Sequence, residues 1–356
     1  MLRIVLTGGG TAGHVIPHMA LIPELRELGC ELHYIGTSDG IERDIIGDLV
    51  PYSGISAGKL RRYASWQNFI DPFRVIRGFG QALRVLRQVR PDIVFSKGGF
   101  VAVPVVLAAR VCRIPVVIHE SDMSPGLANR LALPFAAHIC VTFPETLRAV
   151  PRSRSTLTGT PIRPELFRGQ RAEGMRFVGA DGTRPILLFL GGSLGAASIN
   201  ECVIRSLSQL LEQYFVVHVT GMGQAVKQVE RPGYRQYKFL TAQLPDVMHA
   251  ADLVVSRAGS NSIHELLALR KPHILVPLSR RVSRGDQVLN AASFSDQGFC
   301  EVISDEELTP GTLLQTVGTV LQNRVHYVEA MQAAGQRDAV HAVIDILMRT
   351  GGRTAV

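Results

Sequence analysis

Strand-length apolar runs alternate with helix-length segments along this chain, and the plan is laid down twice. In the first half, 2–7, 32–36, 92–95, 115–118 and 138–141 are β-branched or aliphatic runs. Segments such as 17–28 and 73–89, with helical apolar spacing, lie between them. The second half repeats this with 186–190, 215–219, 253–256 and 273–276. Runs that are apolar throughout are buried on both faces, which calls for a parallel sheet flanked by helices. The sequence therefore predicts an α/β chain of two Rossmann-like, doubly wound domains. Pro, Gly and Ser concentrate around 150–165 and apolar periodicity lapses there. The expected domains are 1–160 and 161–356, with the last helix free to pack back on the first. Two such domains facing a central cleft would line it with their strand C-termini, where open sheets bind ligands.

With 356 residues the chain is long enough for two cores. Its 46% hydrophobic and 19% charged residues exclude a disordered tail or a coiled coil. The longest apolar stretch, 99–109, is about half of the ~20 residues a spanning helix needs. Glycine follows the first strand too early for a secretory segment, so a cytosolic setting is expected. Five cysteines are scattered without a CxxC pair, which argues for reduced thiols rather than disulfides or a zinc site.

The turns after the strands carry the chemistry. Strand 4–7 runs into Gly8-Gly9-Gly10-Thr11-Ala12-Gly13-His14, a G-x-G-x-x-G turn that brings backbone N–H groups to an anion. A dinucleotide site is one reading, but it expects an acid ending the second strand, and only a late Asp39 stands there. His14, at the start of the next helix, is a candidate general base. A capping or packing histidine is the plain alternative. His18 raises a metal pair, yet no third ligand follows at helical spacing. In the second half, Gly191-Gly192-Ser193-Leu194-Gly195-Ala196 forms another phosphate-type turn. After strand 253–255, Ser260 to Glu265 open a helix whose first turn is expected to carry Glu265, either on a ribose or as a capping carboxylate. Gln287 and Asn290 offer groups suited to sugar hydroxyls, and His119-Glu120-Ser121-Asp122 adds polar groups at the first domain's side of the cleft. No two of the 14 Asp residues are two apart, so a D-x-D metal-diphosphate motif is missing. Neither metal nor cofactor is expected; helix dipoles, amides and Arg163 would meet the charge of a leaving group. No nucleic-acid-binding signature is present.

In order, Gly9 to Val15, Lys97 to Val101, His119 to Asp122, Gly159 to Arg163, Gly191 to Ala196, 260–265 and 285–290 resemble the MurG family of glycosyltransferases, family 28, across essentially the whole chain. The resemblance implies a GT-B fold and an inverting, metal-independent transfer of GlcNAc from UDP-GlcNAc. The implied acceptor is the C4 hydroxyl of MurNAc in undecaprenyl-diphospho-MurNAc-pentapeptide, lipid I, which becomes lipid II for peptidoglycan synthesis. It also implies His14 as general base, with Asp122 as competitor because it replaces an amide of some members. Thr11, Ala12 and Gly13 would lie at the donor sugar. Arg163, Ser193, Ser260, Asn261, Glu265 and Gln287 would line the donor site, and Asn129 would be a cleft contact. Leu194 stands where members often have Gln. Other cell-wall synthesis proteins are implied as partners. Competing readings are transfer to another lipid acceptor, a UDP-GlcNAc 2-epimerase, and a non-catalytic nucleotide-sugar scaffold.

The net charge of +8 is local. Lys59, Arg61, Arg62, Arg74, Arg77, Arg84, Arg87 and Arg90 fall within 51–90 against the single acid Asp71. On helix 73–89, Val75, Ile76, Phe79, Ala82, Leu83, Val85, Leu86 and Val89 share one half, expected to cover the domain's own sheet. Arg74, Arg77, Arg84 and Arg87 share the other, free for anionic headgroups at about 1 kcal/mol per basic residue. Trp66 and Phe69, beside Lys59, Arg61 and Arg62, would supply apolar contact. The expected location is peripheral, on an anionic membrane surface at the cytoplasmic face.

Overall fold

The computed structural model describes residues 1–58, 67–224, 226–335 and 337–352, and the side chains of 67–72 lie outside the description. The chain forms two compact units, Met1–Arg163 joined by Arg337–Val356, and Pro164–Gln336.

The first unit runs β1 (Arg3–Thr7), α1 (Ile16–Glu27), β2 (Glu31–Thr37), α2 (Ile41–Ile46), β3 (Tyr52–Ile55), α3 (Gln67–Val89), β4 (Ile93–Ser96), α4 (Ala102–Val111), β5 (Val116–Glu120), α5 (Leu127–Ala132), β6 (His138–Val141) and β7 (Ser155–Leu157). Its sheet has the order β3-β2-β1-β4-β5-β6-β7, parallel throughout. Alternate residues of β1 enter different cores, as the pleat requires. Ile4 and Leu6 pack with Leu21, Leu25 and Phe95 on one face. Val5 packs on the other with Val94, Ile118, Val105 and Ala82. The sheet is thus covered on both sides.

The second unit contains α6 (Arg171–Val178), β8 (Ile186–Leu190), α7 (Ala197–Gln213), β9 (Phe215–Val219), β10 (Tyr234–Tyr237), α8 (Leu244–Ala250), β11 (Leu253–Ser256), α9 (Ser260–Ala268), β12 (His273–Leu275), α10 (Asp286–Asp296), β13 (Glu301–Val302), α11 (Pro310–Gln322) and α12 (Arg324–Ala333). Its parallel sheet is ordered β10-β9-β8-β11-β12-β13. The chain then returns to the first unit as α13 (Ala339–Thr350), which inserts Val343, Ile344, Ile346 and Leu347 into the core around Leu2, Leu21 and Leu25.

Two local expectations need correction. The stretch 150–165 is not wholly irregular, because β7 adds an edge strand beside β6. Ile76 does not face the core. Among the described side chains of α3, the first buried position is Gly78, where an added Cβ would lie 1.9 Å from the Ser56 carbonyl oxygen. Ala82 and Leu86 are buried beyond that point, while Phe73 and Ile76 before it are 73% and 67% exposed. At about 100° per residue these two share a side with Arg77, Arg84 and Arg87. Lys59, Arg61, Arg62 and Trp66 fall outside the described residues, as does the side chain of Phe69.

A charged clasp fastens α13. Asp338 caps the helix through the His341 amide at 3.1 Å, and the His341 ring meets Asp338 Oδ2 at 2.6 Å and Glu24 Oε2 at 3.2 Å. The hydrogen bond and charge of Asp338 raise the imidazole above its ordinary pKa. The clasp is therefore fully present below the unfolded pKa of about 6.5 and is lost as pH rises through the folded value. His341→Ala should lower the melting temperature at pH 5.5 and leave it nearly unchanged at pH 9. The difference should stay within the ~1 kcal/mol of an exposed ion pair.

Candidate active site

Each sheet reverses its strand order once, between β1 and β4 in the first unit and between β8 and β11 in the second. Loops leaving such neighbouring strands diverge to opposite faces and open a crevice at the strands' carboxyl ends. The glycine turns stand at both positions.

In the first unit, the turn after β4 presses its backbone onto the turn after β1. Gly99, at φ +83°, would place a Cβ 2.2 Å from the Gly9 carbonyl oxygen, so only glycine fits. The loop after β1 is tied from the other side by Glu42 on α2. This fully buried carboxylate accepts from the Gly10 amide at 3.1 Å, the Thr37 amide at 2.9 Å and the Thr37 hydroxyl at 2.6 Å. Glu42, rather than the late Asp39, is the acid that meets the end of β2. It is spent on the protein's own backbone, which removes the ribose contact that a dinucleotide reading requires.

His14 closes a short 3-10 turn (Ala12–His14) just before α1, so it precedes the long helix rather than starting it. Its Nδ1 lies 3.1 Å from the Gly9 carbonyl and 3.1 Å from the Thr11 hydroxyl. A carbonyl only accepts, so Nδ1 carries the proton and Nε2 is the basic nitrogen. His18 is not its metal partner. It is fully buried, and burial, assisted by the Lys97 charge, pushes it down to about 3. Its neutral ring packs edge-on against Tyr34 and Phe95.

The loop after β5 is held from within. The Glu120 carboxylate accepts from the amides of Asp122 at 2.9 Å and Gly126 at 3.1 Å and from Asn129 Nδ2 at 2.8 Å. His119 and Glu120, read from sequence as cleft-facing, are instead buried supports. Lys97 Nζ donates to His119 Nδ1 at 2.7 Å and to Ser121 Oγ at 2.6 Å, while His119 Nε2 donates to the Gly159 carbonyl at 2.8 Å. Burial lowers the Lys97 amine to about 7 against the attraction of Glu120 and Asp122. Asn129 Oδ1 is buried without a hydrogen-bond partner and lies beside Gly98.

In the second unit, α7 follows the Gly191–Gly195 turn and α9 follows Gly259, and neither helix has a side-chain cap. An uncapped first turn is the arrangement that receives an anion at a helix N-terminus. Arg257 binds these loops together, donating to Asp305 Oδ1 at 2.6 Å and to Ser198 Oγ at 2.8 Å, with Ser198 Oγ also on Asp305 at 2.6 Å. Glu265 is the sixth residue of α9, in its second turn, and does not cap it; the expectation of a first-turn or capping carboxylate is overturned. The Gln287 carbonyl oxygen accepts from the Leu278 amide at 3.0 Å, which turns its amide group to the loop after β12. Leu194 is 70% exposed at the tip of the second glycine turn.

Thr11, Ala12, Gly13, His14, Asp122 and Asn129 therefore belong to the carboxyl ends of β1 and β5 in one unit. Ser193, Ser260, Asn261, Glu265 and Gln287 belong to those of β8, β11 and β12 in the other. Arg163 is the last residue of the first unit before the crossing. Sequence reasoning missed Glu42, Lys97 and Arg257. Each is a charge to which the sequence pattern assigned no role, although Lys97 opens a segment that carries the family resemblance.

Residues 4–141 match the glycosyltransferase family 28 N-terminal domain, and 186–344 match its C-terminal domain. The chain is 54% identical, over 98% of both chains, to the UDP-N-acetylglucosamine--N-acetylmuramyl-(pentapeptide) pyrophosphoryl-undecaprenol N-acetylglucosamine transferase of Lachnoclostridium phytofermentans. It is 49% identical to the protein of that name from Clostridium kluyveri, over 98% of this chain and 99% of the relative. Among solved structures, Acinetobacter baumannii MurG superposes with a TM-score of 0.74 at 26% identity, covering 98% of this chain and all of that one.

Removing the Glu42 carboxylate would strand three donors, two of them backbone amides. Glu42→Ala should destabilise the first unit by about 2–4 kcal/mol in denaturant titrations.

Proposed function

Because the chain belongs to glycosyltransferase family 28, we propose that it transfers N-acetylglucosamine from UDP-GlcNAc to the MurNAc-pentapeptide unit of undecaprenyl-diphosphate-linked lipid I. Its full-length kinship with transferases of that activity carries the reading. The two switch-point loop sets supply a physical route to the reaction.

The second unit is the donor side. Amides at the starts of α7 and α9 receive the diphosphate, Glu265 accepts from the ribose hydroxyls, and Gln287 donates to the sugar. Ser193, Ser260 and Asn261 complete this side, and Arg163 adds positive charge toward the leaving group. The first unit is the acceptor side. His14 Nε2 takes the proton of the C4 hydroxyl as that oxygen bonds to the anomeric carbon. The bond from the anomeric carbon to the β-phosphate oxygen breaks, and UDP leaves with the electron pair. A single displacement of this kind inverts the anomeric centre. Backbone amides carry the diphosphate charge in this scheme, and no metal is invoked. Asp122 is the second candidate base, and its loop is set by Glu120.

His14→Ala should lower kcat by about 10²–10⁴ with UDP-GlcNAc and a soluble lipid I analogue, and leave UDP affinity unchanged. Asp122→Asn should be milder; the reverse ranking assigns the base to Asp122. Glu265→Ala should weaken UDP binding about 10–100-fold by calorimetry, as fits the loss of hydrogen bonds to a charged group.

The membrane side of the reading rests on α3. Its exposed Phe73 and Ile76 lead into the arginines, the pattern of a helix lying in an interface plane. No helix among the described residues is long and apolar enough to cross a membrane. Sedimentation with anionic vesicles should weaken as salt rises and fall several-fold further in Phe73→Ser/Ile76→Ser. Equal binding to neutral vesicles at low salt would refute the charged dock.

A further inference from the structure

Lys97 takes no part in the chemistry outlined above, yet it is one of the largest buried side chains, at 1% exposure. Lysine is seldom buried, because an ammonium leaves strong hydration behind and needs partners in its place. This residue directly follows β4, at the point where the sheet reverses order. Its backbone amide donates to the Thr7 carbonyl at 2.9 Å, so its base is fixed to the end of β1. Its amine reaches the loop after β5 through Ser121, and through His119 it reaches the carbonyl of Gly159 beyond β7. One residue, by its backbone and its amine, thus connects the ends of four strands. A methionine of similar length would fill the volume without making any of these bonds.

We propose that Lys97 is a positioning residue for the acceptor side, its charged amine fixing Ser121 and Asp122 on the loop after β5 and, by way of His119, the backbone at Gly159. This rests on the reading of the first unit as the acceptor side of the transferase. The neutral imidazole of His119 is poised for the role. Its Nε2 proton is committed to Gly159, so Nδ1 accepts from the ammonium. The groups facing the amine are His119 and Glu120 from β5, Asp122 from the following loop, Cys140 from β6 and His18 from α1. The carboxylates favour the charged form and burial opposes it; burial wins, bringing the amine to about 7. A neutral amine retains two N–H donors but loses its attraction for Glu120 and Asp122. The loop should therefore loosen as pH rises through 7.

The test uses the full chain in two measurements. Amide hydrogen exchange over 121–126, corrected for intrinsic base catalysis, is followed from pH 6 to 8.5 without substrates. Transfer from UDP-GlcNAc to a soluble lipid I analogue is measured over that range for the parent, Lys97→Met and Lys97→Arg. Protection of 121–126 in the parent should fall several-fold above pH 7, and kcat/KM for the acceptor should show an alkaline limb near 7. Lys97→Arg, which stays charged, should move that limb up by more than one pH unit. Lys97→Met should lower kcat/KM for the acceptor at least tenfold at pH 6.5, flatten the limb and leave UDP affinity unchanged. A folded Lys97→Met with parental kcat/KM and limb would overturn the proposal, as would a limb that Lys97→Arg does not move or parental protection that ignores pH. Should neither variant fold, exchange in the parent decides alone. If exchange responds but the parent transfers no GlcNAc, the acceptor reading fails and the structural tie at Lys97 stands.

Discussion

At the carboxyl ends of β1 and β4, two turns meet backbone to backbone with no side chain between them. Most of the first unit's site follows from that contact. Gly99 lies against Gly9, and the Gly9 carbonyl in turn sets which nitrogen of His14 is basic. Glu42 holds the same turn from the side of β2, and Lys97 starts from the strand whose turn presses on it. A side chain at Gly99 would displace the first turn and disturb His14 without touching it. The orientation of the imidazole is thereby set by the rigid part of the sheet, where a small shift is resisted by both cores.

The two units solve the same problem with different materials. Carboxylates inside the first unit, Glu42 and Glu120, are used up on backbone amides, so its loops are set before a ligand arrives. In the second unit the amides at the starts of α7 and α9 lack side-chain caps, and an ion pair, Arg257 with Asp305, binds their loops from behind. In the proposed reaction the first side presents the base and the second receives the diphosphate, a division that fits one partner bringing a hydroxyl and the other a nucleotide-sugar.

The sheets were legible in the sequence in proportion to their burial. All nine strands expected from apolar runs are present, and 186–190, 215–219 and 253–256 coincide with β8, β9 and β11. The four that were missed, β3, β7, β10 and β13, are the four sheet edges. An edge strand needs apolar residues on fewer sides, and Tyr-Arg-Gln-Tyr in β10 or Glu-Val in β13 carries no run to detect. The glycine turns and His14 were visible because they are local motifs. Glu42 and Lys97 were not, because their partners lie in other elements, and nothing near them in sequence distinguishes a buried charge from a solvated one. Ile76 was misplaced because its helical angle lies at the edge of the apolar half, next to Arg87 and well away from the buried Ala82.

The return of α13 makes the second unit an insertion within the first, with consequences for synthesis. Residues 164–336 form a continuous unit that can fold as soon as it leaves the ribosome, whereas the first unit lacks part of its core until α13 is made. At about 5–20 residues per second, the N-terminal sheet waits roughly 10–40 s for that helix. During this time the surface of Leu2, Leu21 and Leu25 that α13 covers is open to other contacts. The half of the chain that is translated first is thus completed last. A nascent or C-terminally truncated chain would present this greasy seam to chaperones and to other unfinished copies, even with its second unit already native.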